Sequence, residues 1–215
     1  MPEELRGAYH RELDQLDVAI ASLLGLIPDA VDSATTSLLS GDAYLADSVA
    51  HWRSLVDDLY SDVEATIEAI IARQAPVARD LRFLMCCVRI LPEVRDAVDL
   101  IGRIGAPEPV GFTERLSVRA RTLTLSMGQL TAAAWTATGE HWRQRDLEVP
   151  RVGRLRISEP LQEAHASLVA EISGGGFDVQ AALEMALRTQ AYDRLARHSA
   201  AIDRLVAGMV SPRFS

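Results

Sequence analysis

Between Gln74 and Gly105 the chain reads QAPVARDLRFLMCCVRILPEVRDAVDLIGRIG. Its apolar residues Val77, Leu81, Leu84, Val88, Leu91, Val94 or Val98, and Ile101 follow one another at steps of three, four or seven. A helix gathers such steps into one stripe, and a strand does not. Pro76 stands just inside the predicted start, where a helix has no use for the missing N–H. Pro92 lies inside the pattern and removes the bond to the carbonyl of Val88, which predicts a bend. Acids and arginines gather just past it, at Glu93, Arg95, Asp96, Asp99 and Arg103.

The same period runs through the rest of the chain. Leu13, Leu16, Ile20, Leu23, Ile27, Val31, Ala34 and Leu38 predict a helix over 3–39, kinked at Pro28. Ser40-Gly41-Asp42 reads as a turn, with Asp42 capping the next helix. Leu45, Val49, Trp52, Val56, Leu59, Val63, Ile67 and Ile70 mark the inner face of a helix over 43–73. Three helices joined by short turns pack antiparallel. Gly105 to Gly111, GAPEPVG, is the best linker and separates a first unit, 1–105, from a second, 106–215. In the second unit Leu116, Val118, Ala120, Leu123, Leu125 and Leu130 predict a helix to Thr138, broken at Gly139. The stretch from Trp142 to Ser158 reads as a broken helix that becomes regular from Pro160 to Ile172. Gly174-Gly175-Gly176 makes a turn, and Asp178 caps a last helix to Met209. Its expected inner face is Ala181, Leu183, Ala186, Leu187, Tyr192, Leu195, Ile202 and Leu205. The SPRFS tail is expected to fray. No strand signal appears. The fold class is all-α: two tandem three-helix bundles with long helices, a repeat of about 105 residues in pattern more than in identity.

Composition narrows the function. Hydrophobic residues are 48% of the 215, enough for a sizeable core, and aromatics only 5%, as in a helical bundle. The formal net charge of −8 argues against general nucleic-acid binding, which needs a basic face. All 22 basic residues are arginine. Without lysine there is no Schiff-base chemistry and no phosphate-binding P-loop. Asn is absent as well, and a GC-rich genome accounts for both gaps. Cys86 and Cys87 are neighbours whose side chains diverge by about 100° on a helix, so they are expected as buried thiols in a reduced, cytosolic protein. The polar, acidic start is not that of a signal peptide, and no apolar run approaches the roughly 20 residues of a membrane span.

Gln74-x-Pro76-Val77-Ala78-Arg79-Asp80-Leu81-Arg82-Phe83, followed by Arg89-Ile90-x-Pro92, resembles the signature of the PhoU family of bacterial phosphate-signalling regulators. The resemblance implies two similar three-helix units. It also implies a non-enzymatic regulator of phosphate uptake and phosphate-dependent signalling, acting by contacts with a phosphate ABC transporter and a membrane sensor kinase. A homodimer is implied too, in the cytoplasm and held at the inner face of the membrane only through its partners.

The family further carries an acidic metal motif, Glu/Asp-x-x-x-Asp, once per unit. Two carboxylates at i and i+4 share a helix face and can hold a cation such as iron or zinc with help from a facing helix. The matched positions here are Arg95 with Asp99, and Asp193 with Arg197. Each motif keeps one acid and has exchanged the other for an arginine. The family's following His is present as His198, and its downstream Asn positions are Arg103 and Ala201. An arginine about 4 Å from the ion, at an effective dielectric near 20, opposes binding by roughly 4 kcal/mol before screening. No cofactor is therefore expected. Arg95–Asp99 and Asp193–Arg197 are expected as i,i+4 salt bridges. Asp99 and Asp193 stand as remnants of the metal motifs, and Glu93, Asp96 and Asp99, at steps of three, form a shifted acidic patch as the alternative.

Arg82 and Arg89, seven residues apart, are the candidate partner-binding pair, suited to acidic side chains or phosphate; arginines that set helix packing are the competing reading. Trp52, Trp135 and Trp142 read as core filling. The five histidines are scattered, no Glu precedes a His by three, and no catalytic constellation appears. Two other readings fit the helical pattern: a metal-binding helical bundle, and a helical scaffold or chaperone unrelated to phosphate.

Overall fold

The three- and four-residue periods are realised as helices throughout. The computed structural model describes residues 2–41, 43–73, 76, 78–107, 112–145, 158–174, 177 and 179–210, without the side chains of 2–6, 43–50 and 158. Among them are seven helices and no strand: α1 Pro2–Ser40, α2 Ala43–Arg73, α3 Ala78–Ile104, α4 Phe112–Arg115, α5 Val118–Arg143, α6 Ser158–Ser173 and α7 Val179–Val210. The caps expected at Asp42 and Asp178, the second half of the 105–111 linker, Gly175-Gly176, the 146–157 stretch and the SPRFS tail lie outside the described residues.

Local chemistry sets the visible ends. Gly41, at φ +69°, ends α1 in the left-handed region, and its N–H reaches the Ser37 carbonyl at 2.9 Å. Ser117 caps α5: its Oγ accepts from the Ala120 N–H at 3.0 Å and donates to Glu171 of α6 at 2.7 Å. The chain therefore breaks once between α4 and α5, which the apolar pattern did not signal. Gly139 does not break α5. It is buried against α1, where an added Cβ would lie 4.0 Å from Leu24 Cβ. Tertiary packing outweighs the roughly 1 kcal/mol that Gly costs a helix. α1 runs through Pro28 and α3 through Pro92.

The helices form two layers. α2, α3, α7 and α6 lie side by side in that order, and α1 and α5 pack together beneath them. Every contact within the first trio recurs in the second: α1 with α2 and α3, and α2 with α3, are matched by α5 with α6 and α7, and α6 with α7. The trios meet through α1 on α5 and α3 on α7, and one cluster of buried residues runs through both.

The expected inner face of α1 is buried, apart from half-buried Leu13. On α2, Val56, Val63, Ile67 and Ile70 are buried, and Leu45 and Val49 lie outside the described side chains. On α3, Leu84, Leu91, Val94, Val98 and Ile101 point inward, but Leu81 and Val88 do not. Steps of seven drift around a 3.6-residue helix, so Leu81 and Val88 fall on its outer edge. On α5, Val118 and Leu125 are exposed, and on α7 Leu183, Ala186 and Leu187 are exposed. The buried faces there mix large apolar residues with small or polar ones: Thr124, Gly128, Thr131, Thr138 and Gly139 stand beside Met127, Trp135 and Trp142 on α5, and Arg188, Thr189 and Ser199 beside Met185 and the expected Tyr192, Leu195 and Ile202 on α7.

One helix segment among the described residues, Gly7–Ser40, is long and apolar enough to cross a membrane by length and composition. Its apolar excess has a packing cause: α1 touches α2, α3 and α5, and so needs buried residues on more than one side, including Leu23 with Leu24 and Ala30 with Val31.

Candidate functional site

The two motif positions lie on α3 and α7, antiparallel neighbours in the four-helix layer. Asp99 does not pair with Arg95. It forms an ion pair with Arg53 of α2, while the Arg95 guanidinium lies over the Tyr60 ring, 3.8 Å from its centroid. An aromatic face on the neighbouring helix draws Arg95 away from the i+4 carboxylate. On α7 the expected pair forms, with Arg197 Nη2 2.8 Å from Asp193 Oδ2.

Glu93 faces α7. Its carboxylate is 2.7 Å from Nδ1 of half-buried His198. A second imidazole repeats the device between α5 and α7, where His141 Nδ1 is 2.9 Å from Asp203. Asp96 is exposed on α3. Glu93, Asp96 and Asp99 thus diverge: Glu93 is turned to α7 and Asp99 to α2. Among the described residues no group of three or more His, Cys, Asp or Glu side chains converges.

Arg188 of α7 is buried where α3 ends. Its guanidinium donates to the carbonyls of Arg103 at 2.8 Å, of Ile104, and of Ala106 at 3.5 Å. Burial lowers its pKa to about 10. The first two are orphan carbonyls of the α3 C-terminus and the third belongs to the turn that follows, and a planar fork of donors suits them.

Arg82 and Arg89 both stand on α3, the first half-buried and the second exposed. Arg82 lines a cleft of about 680 Å3 where the ends of four helices meet, and Arg89 stands outside it, exposed. The cleft is also lined by His10, Asp14 and Asp17 of α1, Arg79, Asp80 and Phe83 of α3, Arg145, and Met209 and Val210 of α7. Arg145 Nη2 is 2.8 Å from Asp17 Oδ2, and its guanidinium lies over Trp142. Tyr9 donates to Asp80 at 3.0 Å. Burial, then that hydrogen bond, pushes the Tyr9 phenol up to about 12. Asp17 Oδ1 and Arg82 Nε are buried without a hydrogen-bond partner among the described residues. The cleft could not be read in the sequence, because its residues come from three separate helices and the turn after α5.

The PhoU domain family model matches residues 20–105. The phosphate-specific transport system accessory protein PhoU homolog 1 of Mycobacterium leprae is 24% identical over 210 residues, covering 94% of this chain and 92% of that protein. The crystal structure of PhoU from Pseudomonas aeruginosa superposes with a TM-score of 0.82, at 16% identity, over 94% of this chain and 98% of that one. Residues 20–105 match the PhoU domain, and the chain is similar to PhoU proteins along nearly its whole length. PhoU homolog 2 of Mycobacterium tuberculosis, also named a phosphate-specific transport system accessory protein, is 31% identical over 90 residues, 42% of this chain and 42% of that protein.

The residues of this PhoU-like chain do not fit the iron or zinc site that the resemblance implies. Asp99 is held by Arg53, Asp193 by Arg197 and Glu93 by His198. A cation at either motif would have to displace an arginine and then sit beside it.

Proposed function

We propose that the chain is a non-enzymatic accessory regulator of phosphate uptake and phosphate-dependent signalling. It works by protein contacts with a phosphate ABC transporter and a sensor kinase at the cytoplasmic side of the membrane, as a homodimer. The observation that carries this reading is likeness along nearly the whole chain to a protein named as an accessory of phosphate-specific transport. Long helical faces and charges paired across helices suit a protein that acts by contact. The two trios are proposed as units 1–105 and 106–215, and the chain as acting without a bound metal.

The test is alkaline phosphatase activity in a strain lacking the chain, grown in ample phosphate. Activity should be derepressed and return to the repressed level with the wild-type chain. Activity that stays repressed, in a strain with no second family member, would overturn the reading.

A further inference from the structure

The outer face of α3 carries apolar residues that the core does not use. Leu81, Met85 and Val88 are 42, 44 and 40% exposed, and Pro92 is exposed as well. They step by four, three and four, the spacing of a coiled-coil seam. α1 lies beneath α3, with α2 and α7 to either side, so the seam looks outward from the four-helix layer.

The ridge recurs in the second trio. When Arg95 and Asp99 are matched with Asp193 and Arg197, Leu81, Met85 and Val88 fall on Val179, Leu183 and Ala186 of α7. Val179 and Leu183 are 87 and 59% exposed. Two apolar ridges at equivalent positions are not scattered surface residues, and contiguous exposed apolar surface marks an interaction site. The ridges differ in their flanks. Arg82 and Arg89 border the α3 ridge one residue after Leu81 and Val88, and the equivalents on α7 are Gln180 and Leu187. Neither Arg82 nor Arg89 has an ion-pair partner among the described residues.

We propose that the Leu81–Met85–Val88–Pro92 ridge docks an amphipathic helix of a partner protein whose apolar seam is edged by carboxylates. The heptad spacing selects a helix, and the two arginines select its charge. A second copy of the same ridge is a poor occupant: antiparallel self-pairing centred near Met85 brings Arg82 of one copy toward Arg89 of the other. An anionic lipid surface is disfavoured by the net charge of −8 and by Asp96 and Asp99 farther along the same face. This goes beyond the phosphate reading and does not depend on it.

The test is fluorescence anisotropy of the full chain with a labelled synthetic amphipathic peptide carrying a leucine seam and glutamate flanks. The control peptide has lysine flanks. The glutamate peptide should bind about tenfold more tightly, from two surface ion pairs gained and two repulsions avoided. Met85→Asp should weaken binding more than tenfold, and Val18→Asp, on exposed α1 surface, should not. Arg82→Glu with Arg89→Glu should invert the preference between peptides. Circular dichroism checks each fold, and Leu81→Ser replaces Met85→Asp should the latter unfold. Equal binding of both peptides, or binding indifferent to Met85→Asp and Leu81→Ser, would overturn the proposal. So would ridge-dependent self-association in sedimentation, or ridge-dependent binding to phosphatidylglycerol vesicles, in the absence of peptide binding.

Discussion

Gly128 of α5 and Thr35 of α1 approach so closely that a Cβ on Gly128 would stand 2.6 Å from Thr35 Oγ1 and 2.7 Å from its Cγ2. Thr35 cannot easily turn aside. Its hydroxyl also bonds to the Val31 carbonyl and to the buried Tyr192 hydroxyl, each at 2.8 Å. Gly128→Ala gains about 1 kcal/mol of helix propensity but overpacks the seam by about 1–3 kcal/mol. The net expectation is a loss of about 1 kcal/mol in chemical denaturation. Thr35→Ala removes both clashing atoms and leaves the Tyr192 hydroxyl without this partner. The double variant should therefore lie closer to Thr35→Ala alone than to the sum of the two losses.

Arg188 ties α7 to the C-terminus of α3 through three carbonyls. Arg188→Met keeps much of the bulk and removes every donor, so those carbonyls lose a charged partner in a buried setting. The expected cost is about 2–4 kcal/mol. Arg188→Lys should recover only part of it, because an ammonium cannot present the planar fork. Amide hydrogen exchange should quicken first in the last turn of α3. An unchanged unfolding free energy in Arg188→Met would show that the cap carries no stability.

These two contacts mark the boundary of what the sequence discloses. α1 and α2 were legible because Leu16, Ile20, Val31, Val63 and Ile67 announce a buried face by being large and apolar. Beside Met127, Trp135 and Trp142, much of the inner face of α5 is built from Thr124, Thr131 and Thr138 at steps of seven, with Gly128 and Gly139, and these smaller residues carry almost no hydropathic signal. They are small because α1 and α5 pack closely, which only the tertiary structure specifies. The large apolar residues of the same region, Val118, Leu125, Leu183 and Leu187, were assigned inward and stand outside. At the candidate site, the i,i+4 pair of Asp193 and Arg197 was legible because both partners lie on one helix. Asp99 with Arg53, Glu93 with His198 and the mixed-charge cleft needed the packing of separate helices.

Cys86 and Cys87 are both buried, and burial raises both thiols, Cys86 to about 11. A thiol whose folded pKa lies above its ordinary value of 9.0 binds its proton more tightly in the folded state. Its contribution to stability is complete below pH 9 and is lost as pH rises through 11. Between those limits the wild type should lose stability more steeply than Cys86→Ala, by about 1 kcal/mol per pH unit at most. At pH 8 both thiols should resist a colorimetric disulfide reagent until denaturant is added. Parallel pH profiles for the two proteins would contradict the assignment.

The pairing of Asp99 with Arg53 rather than Arg95 makes a last expectation. Both side chains of the Arg53–Asp99 pair are about half exposed, so the pair is worth about 0.2–1 kcal/mol. A double-mutant cycle on Arg53→Ala and Asp99→Asn should show coupling in that range, and the cycle on Arg95→Ala and Asp99→Asn should show almost none. Metal retention should follow the same contacts. Purified protein incubated with excess iron or zinc should keep none after desalting, because each motif carboxylate already has a guanidinium. Arg95→Glu with Arg53→Ala removes both cations around Asp99 and restores two acids at i and i+4. That variant should hold zinc measurably more tightly than the wild type in competition with a chromogenic chelator. Stoichiometric zinc in the wild type would mean that the arginines swing away from Asp99 and Asp193 in solution, and the metal-free reading would fail.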